Sequence, residues 1–256
     1  MLAAIKRVVA QNLVGSRFYA PVRHVYRRFS RHRTVGIANE AAFYSQFVKP
    51  GDLVFDIGAN AGYKTEIFLA CGAKVISVES NPLCQRVLRF EFASNPRVHL
   101  VQAAVGAEEG MLPMNVRGLS PMSSLLDDWE PFKVEGGGQQ RIDVPVTTLD
   151  KLIERFGRPS FIKIDVEGFE EQVLNGLSSP VPFLSFEYGL RGECLARFKA
   201  CLARLQKISS ITINAIEDDS STRVRKLRFV LDKPRQPDDL TDFPPGGDCF
   251  VASKMT

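Results

Sequence analysis

The sequence predicts an α/β fold in which a mostly parallel sheet carries helices on both faces. Three observations predict it. Strand-like and helix-like runs alternate from residue 52 onward, as βαβ units do. The first strand-like run, "LVFDIGANAG" from Leu53 to Gly62, ends in an acid and breaks into glycines. The second ends in another acid, Glu79. A buried strand needs neither feature, whereas a strand that delivers its end to a ligand uses both.

The elements follow in order. "DLVFDIG" is a short apolar run between turn residues, and "YKTEIFLACG" has helical spacing and stops at Gly72. "AKVISVES" reads as a second strand. "NPLCQRVLRFEFASN" reads as a helix with Asn81 as its cap and Pro82 at the first helical position. "RVHLVQAAVG" reads as a third strand. From about 108 to 147 the character changes to turn residues and short alternating runs, with Gly136, Gly137 and Gly138 at a loop tip. This predicts an excursion with β-hairpin character, long enough for a lid or a substrate wall. Alternation resumes with "TLDKLIERFG" (helix), "SFIKIDVEG" (strand), "FEEQVLNGL" (helix), "VPFLSFEYG" (strand) and "GECLARFKACLARLQ" (helix). "ITINAIE", "KLRFVL" and "DCFVASKM" are late strand candidates around a Pro/Asp-rich loop. Right-handed crossovers place the carboxyl ends of the parallel strands along one edge, where ligands of such sheets bind.

Charge divides the chain. Residues 1–38 hold eight of the 33 Lys and Arg and none of the 29 acids, so the rest carries 25 bases against 29 acids. The expected organisation is a basic, helical N-terminal arm at 1–38 and a single domain at 39–256. The mildly acidic body argues against nucleic-acid binding. The arm lacks the order of a secretory signal; a solvated or packed helix, a membrane-surface helix through residues 1–33 and a targeting segment are its readings. No apolar run reaches the ~18–20 residues that span a bilayer. The five cysteines form no C-x-x-C pair, which fits scattered reduced thiols and a cytoplasmic setting. Only His24, His32 and His99 could assist a zinc site, and no structural metal site is expected.

The tight turn after the first strand needs glycine at Gly58 and Gly62, where a side chain would block a ligand. Two adenosine cofactors fit such a turn. A dinucleotide uses G-x-G-x-x-G to seat a pyrophosphate, but Asn60 and Tyr63 stand where its second and third glycines belong. S-adenosylmethionine has a cationic sulfonium and amino group, which Asp56 suits. Glu79, 21 residues after Gly58, stands where a carboxylate takes ribose hydroxyls in either class. An atypical nicotinamide-dependent oxidoreductase and a non-catalytic nucleoside-binding scaffold therefore remain alternatives at this point.

The stretches "VFDIGANAGYKTEIFLACGAKVISVESNP", "VQAAVG", "VPVTTLDKLI", "FIKIDVEGFEEQVLNG" and "LSFEYG" resemble, in order, the FkbM-type family of S-adenosylmethionine-dependent methyltransferases. The resemblance covers most of residues 50–190, and the "KIDVEG" segment is its most specific part. It implies a Rossmann-like, three-layer α/β/α methyltransferase fold of seven strands with an antiparallel edge hairpin. It implies methyl transfer to a hydroxyl of a small molecule such as a sugar or polyketide. Carried over by motif, Asp56, Gly58, Asn60 and Gly62 would surround the methionine part, Glu79 would hold the ribose, and Asn81 would lie near the adenosine. Ala103 or Ala104, ending the third strand, would lie near the adenine. Asp165, Glu167 and Gly168 would stand beside the reactive methyl.

Methyl transfer to an alcohol needs alignment and a base. With no histidine in the motif region, carboxylates are the candidates. Asp165 comes first, because it ends an apolar strand where desolvation would raise its pKa. Glu167 follows two residues later, and Glu187 at the end of the next strand could complete an acidic cluster on the acceptor side. A divalent metal there is left open. Lys163 shares the strand face of Asp165. Ser123, Ser124, Tyr44, Tyr63 and Trp129 are further candidates for the acceptor site.

Overall fold

The computed structural model describes residues 20–21, 24, 31–116, 140–217, 235–241 and 243–255. Most of the basic arm, the excursion tip with Ser123, Ser124 and Trp129, and the candidate strand "KLRFVL" lie outside the described residues. No described helix is long and apolar enough to cross a membrane.

The described elements, in chain order, are α1 (Arg31–Tyr44), β1 (Leu53–Ile57), α2 (Tyr63–Ala70), β2 (Lys74–Val78), α3 (Pro82–Phe92) and β3 (Val98–Val101). Then come β4 (Ala104–Val105), β5 (Gly110–Val116), β6 (Gln140–Thr147), α4 (Leu149–Phe156), β7 (Phe161–Ile164) and α5 (Glu170–Asn175). The chain ends with β8 (Phe183–Gly189), α6 (Gly192–Ile208), β9 (Ile211–Glu217) and β10 (Gly246–Ser253).

Seven strands form one sheet in the order β3-β2-β1-β7-β8-β10-β9. β3 through β8 are parallel, and β10 runs antiparallel to both β8 and β9. The order reverses between β1 and β7, which is the switch point where such sheets open a crevice for ligands. The antiparallel edge that the family resemblance implies is β10 inserted between β8 and β9.

Strand alternation sorts the core into two layers. Val54, Val75, Phe161 and Phe250 face α1 and α2 and pack with Phe43, Tyr44, Phe47, Ile67 and Phe68. α3 joins this layer, its Leu88 and Phe92 meeting Val98 and Leu100 of β3. Phe55, Ile57, Ile162, Ile164, Leu184 and Phe186 point the other way, onto Leu149 and Leu152 of α4, Val173 and Leu174 of α5, and Phe198 and Leu202 of α6. Tyr44, placed in the sequence reading at the acceptor site, is 1% exposed. Its ring meets Phe43, Phe68 and Phe161 edge-on, so it is a core residue.

The local signals at α3 hold as read. Asn81 accepts the Leu83 N–H at 2.9 Å through Oδ1, with Pro82 at the first helical position. The run read as one third strand is in fact two. β3 ends at Val101, whose carbonyl accepts the Glu79 N–H. Past that point β2 offers no further partner, and Ala104–Val105 turns to pair with β6 in a second, three-stranded sheet, β4-β6-β5. The excursion has the expected hairpin character: β5 and β6 pair antiparallel from Gly110↔Val146 to Val116↔Gln140.

Candidate active site

Four strand ends and the second sheet enclose one cavity. Gly58 and Asn60 follow β1, Glu79, Ser80 and Asn81 follow β2, and Ala103 and Ala104 follow β3. Asp165, Val166 and Glu167 follow β7, and Met114 reaches in from β5.

The β1 turn is drawn tightly onto its neighbours. The Gly58 and Ala59 N–H groups donate to the Val78 carbonyl at 2.9 and 3.0 Å. Gly58 has φ 79°, and a Cβ there would fall on the carbonyl of Asp165. Gly62 has φ 82°, and a Cβ there would fall within the Phe92 ring. Both glycines are thus demanded first by the protein's own packing, a different reason from the ligand approach read in the sequence.

Glu79 organises the middle of the cavity. It is 7% exposed, and its two oxygens accept separate backbone donors, Asn60 N–H at 2.8 Å and Asn81 N–H at 2.7 Å. Burial pushes its carboxyl up to about 7, although those N–H groups pull the other way. Gln85, which the sequence reading passed over, sits behind it. Its amide donates to the carbonyls of Glu79 (3.0 Å) and Val101 (2.7 Å), pinning the ends of β2 and β3 together.

Asp56 and Gly62 do not line this cavity. Asp56 alternates with Ile57 and so points into the layer of α1 and α2. There it is 1% exposed and accepts the Thr65 hydroxyl at 2.6 Å. Burial raises its carboxyl to about 6.

The turn after β7 carries the remaining acids. Asp165 extends the ladder by donating its N–H to Ile57, but its side chain is 41% exposed. The desolvation expected there falls instead on Glu167, whose carboxyl is raised to about 7 by burial, then by Asp165 and Glu170. Glu167 adopts φ 54°, a left-handed conformation uncommon outside glycine. It stands three residues ahead of α5. Glu170 stabilises this turn by accepting the Gly168 N–H at 3.1 Å and the Val166 N–H at 3.4 Å. Burial raises Glu170 as well.

Glu187 lines a neighbouring cavity with Gly168, Glu170, Tyr188 and Arg197 rather than this one. Partial shielding by its neighbours, and then Asp165, Glu167 and Glu170, push its carboxyl upward, although the residue is exposed. Lys163 is 1% exposed, with Nζ 2.6 Å from Asp248 and 3.9 Å from Asp165. Tyr63 lies on the α1 side, donating its hydroxyl to Glu40 at 2.7 Å. Among the described residues no group of three or more His, Cys, Asp or Glu side chains is arranged to hold a metal ion.

The donor set decides between the two adenosine cofactors. Asp165, Glu167 and Glu79 line the cavity, and among the described residues no Lys or Arg does. Such walls favour a cationic sulfonium and ammonium and oppose a pyrophosphate. Glu79 keeps lone pairs beyond the two N–H bonds for ribose hydroxyls. The end at Ala103, Ala104 and Val105 is apolar.

Fold and site together define an S-adenosylmethionine-dependent methyltransferase. The chain belongs to the methyltransferase FkbM domain family, which it matches over residues 56–190. No curated protein matches it. Among solved structures, it is similar to the O-methyltransferase from Bacillus cereus in complex with SAH, at 11% identity and TM-score 0.49, over 96% of this chain and 97% of that one. It is also similar to precorrin-6y C5,15-methyltransferase from Geobacter metallireducens (13% identity, TM-score 0.41, 87% of each chain). A third is Aeropyrum pernix fibrillarin with natively bound S-adenosyl-L-methionine (10% identity, TM-score 0.44, 80% of this chain and 68% of that one).

Proposed function

We propose that this methyltransferase acts on a hydroxyl oxygen of a small molecule such as a sugar or polyketide, with Glu167 as the proton acceptor and Asp165 beside it. The observation that carries this reading is the turn after β7. It aims two carboxyl groups at the cofactor cavity, and the carboxyl of Glu167 is tuned to about 7. A general base works best when its pKa lies near the operating pH.

S-adenosylmethionine supplies an electrophilic methyl group when bound. The chain's residues do the rest. Gly58 and Asn60 shape the methionine end, Glu79 holds the ribose, and Asn81, Ala103 and Ala104 border the adenosine. Asp165 adds negative charge near the ammonium and sulfonium. Glu167 receives the acceptor's proton, and Glu170 keeps its backbone in the left-handed turn. Glu187, in the adjoining cavity across Gly168, contacts the acceptor, as do Ser123 and Ser124. The basic arm at residues 1–33 lets the enzyme rest on an anionic membrane surface; its deletion then lowers binding to anionic vesicles.

The test is a screen of hydroxylated and aminated small molecules with methyl-labelled donor. Label on an oxygen, lost in Glu167→Gln while S-adenosylhomocysteine affinity is kept, supports the proposal. Label on nitrogen, or full activity of Glu167→Gln, overturns it.

A further inference from the structure

We infer that Met114, tethered by Ser80, is the purine-recognising wall of the cofactor cavity, supplied by the second sheet rather than by the main one. The inference rests on the cofactor placement above. The lining residues follow strand order: Asp165 at β7, Gly58 at β1, Glu79 at β2 and Ala103 beyond β3. With strands about 4.8 Å apart, that row is about 14 Å long, the scale of a nucleoside with an amino-acid tail. Charge is absent from only one end of the row among the described residues. Asp165 and Glu167 stand at the β7 end and Glu79 in the middle. The β3 end presents Ala103, Ala104, Val105 and Met114, with no charged side chain among the described residues. That end suits the neutral, flat part of the ligand.

Met114 is 3% exposed and packs with Ala104, Val144 and Val146, the small sheet's own core. Its Sδ accepts the Ser80 hydroxyl at 3.2 Å. Ser80 directly follows Glu79, so this contact joins the ribose-holding turn to the second sheet. The thioether is polarisable and makes favourable contacts with aromatic rings. A wall of this kind recognises a purine by dispersion and shape, with no hydrogen bond required.

Calorimetry on the full chain, with S-adenosylhomocysteine and with adenosine alone as probes, tests the inference. Met114→Ala is expected to weaken both ligands about tenfold, as loss of one buried apolar contact does. Met114→Leu should stay within about threefold of the natural protein, because it keeps an apolar wall of similar volume. Met114→Gln, similar in length but polar, should lose about fivefold or more. Asp165→Asn should weaken S-adenosylhomocysteine while leaving adenosine unchanged, a split that general structural damage does not produce. Natural affinity for both ligands in Met114→Ala overturns the inference, as does adenosine binding that Met114→Ala leaves intact. If Met114→Ala fails to fold, equal affinities in the Gln and Leu variants overturn it. Failure of the natural protein to bind S-adenosylhomocysteine would instead remove the cofactor placement itself.

Discussion

Lys163 on β7 reaches across β8 to meet Asp248 on β10, with Nζ 2.6 Å from Oδ1. In the sheet register Ser185 of β8 stands beside Lys163, and Glu187 stands beside Asp248. The ammonium therefore spans a whole strand and ties the antiparallel edge to the turn that bears Asp165. Burial alone would lower the pKa of Lys163; Asp248 and then Asp165 more than reverse this, leaving it well above the ordinary lysine range.

Asp248→Asn removes the nearest counter-charge from this buried ammonium. Unfolding in urea should show a loss of about 3 kcal/mol, the range for breaking a buried pair. Lys163→Met, which replaces the buried cation with an apolar chain, should cost less, because Asp248 keeps a side chain 20% exposed to water. Equal, negligible losses in both variants would contradict the reading of the pair as a buried, mutually dependent unit.

Glu79→Gln keeps the volume of the side chain but places an amide where two backbone N–H groups and, in the proposed cofactor placement, two ribose hydroxyls need acceptors. S-adenosylhomocysteine affinity should fall about 10–100-fold, on the scale of hydrogen bonds to a charged group. In the natural protein the ionised form is lost as pH falls through about 7. Affinity should therefore decline below neutrality. Titrations by calorimetry across this range check both points.

Stability should move with pH in the opposite sense. Asp56, Glu79 and Glu167 are raised to about 6, 7 and 7. Unfolded carboxyls titrate near 4. Between about pH 4 and 7 the folded chain then holds more protons than the unfolded one, so stability falls as pH rises through that window. The ligand-free melting midpoint should be higher near about pH 5.5 than near about pH 8.5. Saturating S-adenosylhomocysteine should lift the alkaline midpoint more, since it binds the ionised form. A flat profile would contradict the raised carboxyls.

Glu167 pairs a left-handed backbone with a carboxyl at the cavity. Glu167→Gly should relieve roughly 1 kcal/mol of backbone strain and raise the unfolding midpoint, while reducing transfer by about 100-fold or more, the range for a general base. Loss of stability with retained turnover would show that the strained turn serves packing rather than chemistry.

The parallel core was legible because each strand and helix kept its own period, and because the Asn81–Pro82 cap is a local signal. What stayed hidden was long-range. Asp248 follows β8 by some sixty residues and meets Lys163 only because β10 inserts between β8 and β9. Met114 lies in the excursion, whose closure over the cavity depends on β4 leaving the main sheet. The apolar run "VQAAV" gives no sign of that break. Asp56 is a different case: the period of two already assigns Asp56 and Ile57 to opposite faces, and of the two it is Ile57 that lines the cavity.

The central claim is that an acid-lined rim at the strand ends binds a sulfonium nucleoside. Calorimetry of the full chain near about pH 8, with S-adenosylhomocysteine and NAD titrated separately, tests it most directly. Saturable single-site binding of S-adenosylhomocysteine, strongly weakened in Glu79→Gln, with no heat from NAD, is the predicted result. Binding of NAD alone, or S-adenosylhomocysteine affinity indifferent to Glu79, would contradict it.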